Sequence, residues 1–304
     1  MPFLHSPGMQ IGLVLPTIGP HANRRAIDAA VSAAADLGWT SVWVTDHLMV
    51  PDGPEAEEYG TILEAIVSLG YVAGAGTGLT LGTSVLIPPM RNPVILAKQL
   101  ATLDVLTGGK VIAGVGVADK HDLPEFTNLG AADRFTRRGA FVDETIALWR
   151  HLWSGGKPPF TGEFHDLQDY VFGPLPAQRR DLPIWTGGRS GAAIRRAALL
   201  ADGYHAAQTG PTDLRERILA LQELCDEAGR SLPTLSVRAR VHFGSDHDHP
   251  YAVSGDTAEM QADVAEFAGL GVEHLVVVLG TTDPDELRRR AERFQSEVVA
   301  PALA

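Results

Sequence analysis

Two adjacent residues in this chain, Asp46 and His47, could move a proton. They end the run Ser41-Val42-Trp43-Val44-Thr45, and Pro51 and Gly53 follow within a few positions. An imidazole titrates near neutral pH, so His47 can serve as general acid or base wherever a substrate reaches it. Asp119 ends a second such run, Gly114-Val115-Gly116-Val117-Ala118, but lies in a polar loop. A third stretch, Thr186-Gly187-Gly188-Arg189-Ser190, has anion chemistry. Two glycines let the backbone come close, Ser190 can cap a following helix, free N–H groups point outward and Arg189 adds charge. An ordinary glycine turn with a serine cap would look the same. The Gly114-Val115-Gly116 sequence lacks the further glycine that a dinucleotide fingerprint needs. His242, Asp246, His247, Asp248 and His249 are ligand types that suit zinc. Their spacing sets no two of them on one helical face, so a solvated loop and no metal are expected.

These residues need elements to place them, and the chain alternates short apolar runs with amphipathic ones. Strands are expected at Ile11–Leu15, Val42–Thr45, Leu79–Ile87, Val111–Val115, Pro183–Thr186, Gly203–Ala207, Leu235–Phe243 and His274–Leu279. Helices are expected between them, the last over Asp283–Val299 with Thr282 or Asp283 as its cap. Eight βα units fit a single (β/α)8 TIM barrel spanning residues 1–304, a fold that uses about 250 residues. An open doubly wound sheet would leave eight short strands with awkward edges. In a barrel the strand ends converge on one mouth, which gathers Asp46, His47, Thr83, Ser84, Val85, Gly116, Asp119 and Gly187–Ser190. One irregular stretch, about 154–180, is rich in proline and glycine, contains a small hairpin near Phe160–His165, and reads as an insertion between strands four and five.

Bulk properties exclude several function classes. The 304 residues carry a net charge of −12, which disfavours nucleic acid and anionic membranes as partners. No uninterrupted apolar run is long enough for a membrane span, and residues 1–10 do not read as a signal peptide, so a cytoplasmic protein is expected. The single cysteine, Cys225, falls in a helical run and reads as an inert packed thiol.

Taken in order, Ile11–Pro16, Ala34–His47, Leu81–Pro93, Gly114–Val117 and Pro183–Ser190 resemble the luciferase-like monooxygenase superfamily, the bacterial-luciferase type of barrel. They are most similar to its branch that uses the deazaflavin coenzyme F420. The resemblance implies a flavin-type ring across the barrel mouth and a non-proline cis peptide at Ser84-Val85 pressed against it. It implies cofactor contacts from Asp46, Thr83, Ser84, Val85, Gly116 and the Gly187-Gly188-Arg189-Ser190 turn, the turn holding phosphate. Asp46 and His47 match the pair near the ring's reactive edge, with His47 beside the transferred hydride. The implied activity is hydride transfer between F420 and a substrate. FMN-dependent monooxygenation is the alternative, and a flavin-binding protein without turnover is the second. The chain departs from the family's sugar-phosphate dehydrogenases. Pro51 and Gly210 stand about where those carry a tryptophan and a lysine, and Asp119 about where they carry a glutamate. Leu48, Met49, Leu86 and Met90 suggest an apolar pocket beside Asp119, so a small apolar alcohol, carbonyl or enone is the expected substrate. A homodimer is expected from the same resemblance.

Overall fold

The computed structural model describes residues 8–53, 56–247 and 249–304. Its strands in chain order are β1 (Gln10–Val14), β2 (Ser41–Val44), β3 (Thr80–Thr83), β4 (Val111–Val115), β5 (Phe160–Thr161), β6 (Asp166–Leu167), β7 (Ile184–Gly187), β8 (Gly203–Ala207), β9 (Thr234–Phe243), β10 (Ala252–Gly255) and β11 (His274–Val278). β1, β2, β3, β4, β7, β8, β9 and β11 are the eight parallel strands of a (β/α)8 TIM barrel, as the periodicity predicts. β5 and β6 form a separate antiparallel hairpin inside the 154–180 stretch. The expected Asp283 cap is present, its carboxylate accepting from Glu286 N at 2.7 Å. No helix among the described residues is long and apolar enough to cross a membrane.

The chain divides into two compact units. The first holds residues 8–16, 21–43 and 187–304 among those described. In it β8, β9, β11, β1 and β2 pair in parallel in that order, and β10 adds to β9. Its interior carries a polar layer. Trp43 is fully buried, donates from Nε1 to Ser41 Oγ at 2.8 Å, and stacks on His205 with ring centroids 5.2 Å apart. His205 Nδ1 lies 2.8 Å from Ser236 Oγ. Gly12 makes room for the tryptophan, because a Cβ there would stand 2.7 Å from the indole nitrogen. Cys225 is fully buried, and burial pushes its thiol pKa up.

The second unit holds residues 17–20 and 44–186, with β3, β4 and β7 pairing in parallel. The long strand expected over Leu79–Ile87 stops at Thr83. Beyond it the Ser84–Val85 peptide is cis, and the chain leaves regular pairing except for a bridge from Leu86 to Val115. The next helix, Pro93–Thr107, starts where the Asn92 side chain accepts from Val94 N and Ile95 N, with Pro93 in its first turn. Between β4 and the long helix Arg138–Trp153 the chain forms short helical pieces at Lys120–Asp122, Leu123–Asn128 and Ala132–Phe135. Phe126 from these pieces is fully buried against Ile87, Met90 and Ala131, with Leu48 packed on the cluster. Burying a side chain of that size stabilises the loop by roughly 1.5–3 kcal/mol, enough to order a segment with little helix of its own.

Candidate active site

That apolar anchor carries an acid. Glu125 precedes Phe126 on the short helix Leu123–Asn128, where Pro124 suits the first turn, and it is fully buried. Its Oε1 accepts from the backbone N–H of Met49 at 2.8 Å and from that of Leu48. Its Oε2 lies 2.9 Å from Nδ1 of His47. His47 keeps 22% of its side chain exposed, and Tyr59 approaches it edge-on at 6.4 Å between ring centroids. Burial pulls the His47 pKa down. The hydrogen bond and charge of Glu125, with the charges of Asp122 and Asp46, outweigh it and leave the pKa raised. Burial pushes Glu125 the other way, but the bonds from His47, Leu48 and Met49 prevail and its pKa is lowered. His47, Asp122 and Glu125 are the one group of described metal-ligand types whose donor atoms all lie within 4.8 Å of one another. Protons already engage the acids: Asp122 Oδ2 accepts from Asp119 N at 2.6 Å, and both Glu125 oxygens are taken.

Asp46 has a different occupation. It is 2% exposed, and its Oδ2 accepts from Ile87 N at 3.1 Å and from Arg91 Nε at 3.0 Å. Arg91 also reaches Asp46 Oδ1, and its Nη1 pairs with Glu64 Oε1 at 2.8 Å. Two acids and one guanidinium thus tie the loop after β2 to the loop after β3, a fork geometry that arginine favours.

The residues of β3 and β4 build a wall. Thr83 is fully buried and donates from Oγ1 to Gly114 O at 2.8 Å. Ser84 N donates to Val44 O, and Leu86 N to Gly114 O. Val85 projects over two glycines. A Cβ on Gly116 would stand 2.6 Å from Val85 Cγ2, and one on Gly114 would strike the Thr83 carbonyl. Leu86 has no exposed surface and belongs to the packed wall, whereas Met49 is half exposed beside His47. Asp119 is exposed and spent on local structure: its Oδ1 accepts from Lys120 N and it caps the turn Lys120–Asp122. The carboxylate that meets His47 is Glu125, six positions on from Asp119. Two buried hydroxyls, Thr45 Oγ1 and Thr186 Oγ1, have no hydrogen-bond partner among the described residues.

In the first unit the Gly187–Ser190 turn has the expected local form. Gly188 sits at φ +123°, where a Cβ would also stand 2.7 Å from Ala193 Cβ. Ser190 Oγ accepts from Ala193 N at 3.2 Å and caps the helix Gly191–Leu200. Arg189 is exposed. The Gly188 carbonyl accepts from Tyr204 Oη at 3.0 Å. Burial raises the Tyr204 pKa, against the opposing charges of Arg217 and Arg189.

Sequence reasoning missed Glu125, Asp122, Arg91 and Glu64 as site residues. One local signal marked Glu125: an acid between a proline suited to a first turn and a large aromatic.

Residues 9–255 match the luciferase-like monooxygenase family. An F420-dependent glucose-6-phosphate dehydrogenase of Kineococcus radiotolerans is 30% identical over 285 residues, covering 90% of this chain and 77% of that protein. One from Microbacterium testaceum is 29% identical over 285 residues, covering 86% and 81%. Among solved structures, an F420-dependent secondary alcohol dehydrogenase in complex with an F420–acetone adduct superposes with a TM-score of 0.80 at 20% identity, covering 98% of this chain and 99% of that one. At that identity the likeness speaks for the fold. With the family match spanning β1 through β10, the chain belongs to the luciferase-like monooxygenase family and is an enzyme of the oxidoreductase class.

Proposed function

We propose that this enzyme is F420-dependent and moves a hydride between the deazaflavin and a small, apolar alcohol, carbonyl or enone. The observation that carries the reading is the His47–Glu125 pair. Its Nδ1 is committed to a buried carboxylate, and Nε2 has no partner among the described residues. Leu48 and Met49 follow His47 in the chain, Leu48 packed on the Ile87–Met90–Phe126 cluster and Met49 half exposed, and they are proposed as apolar surface for the substrate.

The residues present fit such a cofactor. Thr45 Oγ1 and Thr186 Oγ1 are buried polar atoms without partners among the described residues, and a ring with a polar edge would offer them hydrogen bonds. Thr83, Ser84, Val85 and Gly116 are proposed as the wall behind the ring. When bound, F420 supplies the carbon that accepts or gives the hydride. In alcohol oxidation the hydroxyl proton passes to His47 Nε2, and the Glu125 carboxylate stabilises the imidazolium that forms. In carbonyl or enone reduction the same imidazolium returns its Nε2 proton to the substrate. Asp46 is read as a positioning residue, holding Arg91 and the Ile87 backbone rather than transferring protons.

Taken by itself, the Gly187–Ser190 turn with Arg189 is proposed as a phosphate site. A homodimer is proposed through the helices Ala65–Ala73 and Pro93–Thr107, which expose Val67 and Ile95. Light scattering that returns a monomer mass would remove the dimer. The functional test is a fluorescence titration of purified protein with F420 and with FMN, then turnover of secondary alcohols with F420 and of enones with its reduced form. Saturable F420 binding with turnover supports the reading. Tight FMN binding without F420 binding overturns it in favour of the flavin monooxygenase alternative.

A further inference from the structure

We propose that His242, His247 and His249 form a binding site for a zinc-type transition-metal ion on the loop that follows β9. The sequence alone makes this run a solvated loop, because its spacing follows no helical face. The structure brings the three imidazoles together by another route. His242 stands in β9, and β10 pairs beside it so that Ser254 lies opposite His242. The turn between them places the His247 ring 5.6 Å from that of His242 and 6.0 Å from that of His249, centroid to centroid. All three histidines are half-buried, while Gly244, Ser245 and Asp246 are exposed.

One nitrogen of the His247 ring is engaged and the other is bare. Nε2 lies 2.9 Å from Ser254 Oγ. Nδ1 is buried and has no hydrogen-bond partner among the described residues. An imidazole held through one nitrogen, with its other nitrogen bare and two further imidazole rings packed beside it, is the kind of arrangement that metal-ligating histidines adopt. Imidazole nitrogens suit zinc, copper and nickel, and a net charge of −12 does not repel a cation. The three donors are not yet within 4.8 Å of one another, so ring rotation closes the site on the ion. Zinc then takes three nitrogens at roughly 2.0–2.1 Å, with water or the neighbouring Asp246 in the fourth position. Asp248 lies outside the described residues.

The test is zinc titration of chelator-stripped full-length protein against a chromophoric chelator, with His247→Gln and His242→Gln variants alongside. One equivalent bound by the wild type, weakened at least tenfold in either variant, supports the site. A zinc-induced rise in melting temperature, absent from the variants, supports it also. Unchanged affinity in both variants overturns it. So does a single equivalent that is lost in His47→Gln, which would place the ion at His47, Asp122 and Glu125. Should His247→Gln not fold, His242→Gln alone decides the outcome. F420 binding is read separately, so failure here leaves the proposed hydride chemistry untouched.

Discussion

His47 Nδ1 and Glu125 Oε2 meet at 2.9 Å although 78 positions separate the two residues. The acid is buried and the imidazole is partly open, so the pair is built to hold a proton on one side and exchange it on the other. Glu125 is fixed before any ligand arrives, because Leu48 N and Met49 N already donate to its second oxygen. A preorganised carboxylate behind an imidazole is worth most in a water-poor site.

Glu125→Gln keeps the shape and removes the charge. Since Glu125 is what raises the His47 pKa, the acid limb of kcat/KM for alcohol oxidation moves to lower pH in the variant. Its plateau falls on the order of a hundredfold, the usual scale for a general base that has lost its support. F420 affinity stays as in the wild type. A pH–rate profile with an unmoved limb would assign Glu125 a purely structural part.

The Asp46–Arg91–Glu64 group makes a different forecast. Asp46 is buried and Arg91 nearly so, with 12% of its side chain exposed. Arg91→Ala leaves a buried carboxylate unpaired, and breaking such a pair costs about 3–5 kcal/mol. A denaturant melt should show this loss, and Asp46→Asn with Arg91→Ala together should cost less than the sum of the two. Strict additivity would mean that the two side chains do not act together.

What the sequence made legible divides along a physical line. Strand order, helix starts and the Asp46–His47 ending are local patterns, and they stand in the structure where periodicity and capping residues put them. The Ser84–Val85 cis peptide was legible only through the family resemblance. Glu125 and Arg91 were not legible as site residues. Their partners lie 78 and 45 positions away, and no local spacing encodes such a meeting. Asp119 was expected at the substrate pocket from its place near a strand end, and its Oδ1 accepts from Lys120 N in a capping turn, a local use that strand-end position alone does not reveal.

The wall behind Val85 depends on the absence of side chains opposite it. Gly116→Ala would set a methyl 2.6 Å from Val85 Cγ2 and push that residue forward. Overpacking of this kind costs about 1–3 kcal/mol. If Val85 backs the ring as proposed, F420 affinity falls more than tenfold in Gly116→Ala while the fold survives. A variant that is destabilised but binds F420 normally would remove Val85 from the cofactor site.

Acid should unfold this protein through its first unit. Burial holds His205 neutral, helped by the charge of Arg238, with a pKa lowered from 6.5 to about 3, and burial lowers His274 to about 4. Both groups take up a proton more readily once unfolded. Above the unfolded pKa of 6.5 neither state is protonated and the two groups add no pH dependence. As pH falls below that value the unfolded chain binds protons that the folded chain refuses, so stability drops, and the slope ends only near the folded pKa values. For His205 alone the loss reaches on the order of 3 kcal/mol by about pH 4. The stacked Trp43 reports the event, since its fluorescence changes when the His205 ring leaves. Denaturant melts between neutral pH and about pH 4 should show falling stability, and a His205→Gln variant should show a shallower fall. Equal slopes in the two proteins would mean that other groups drive the acid transition.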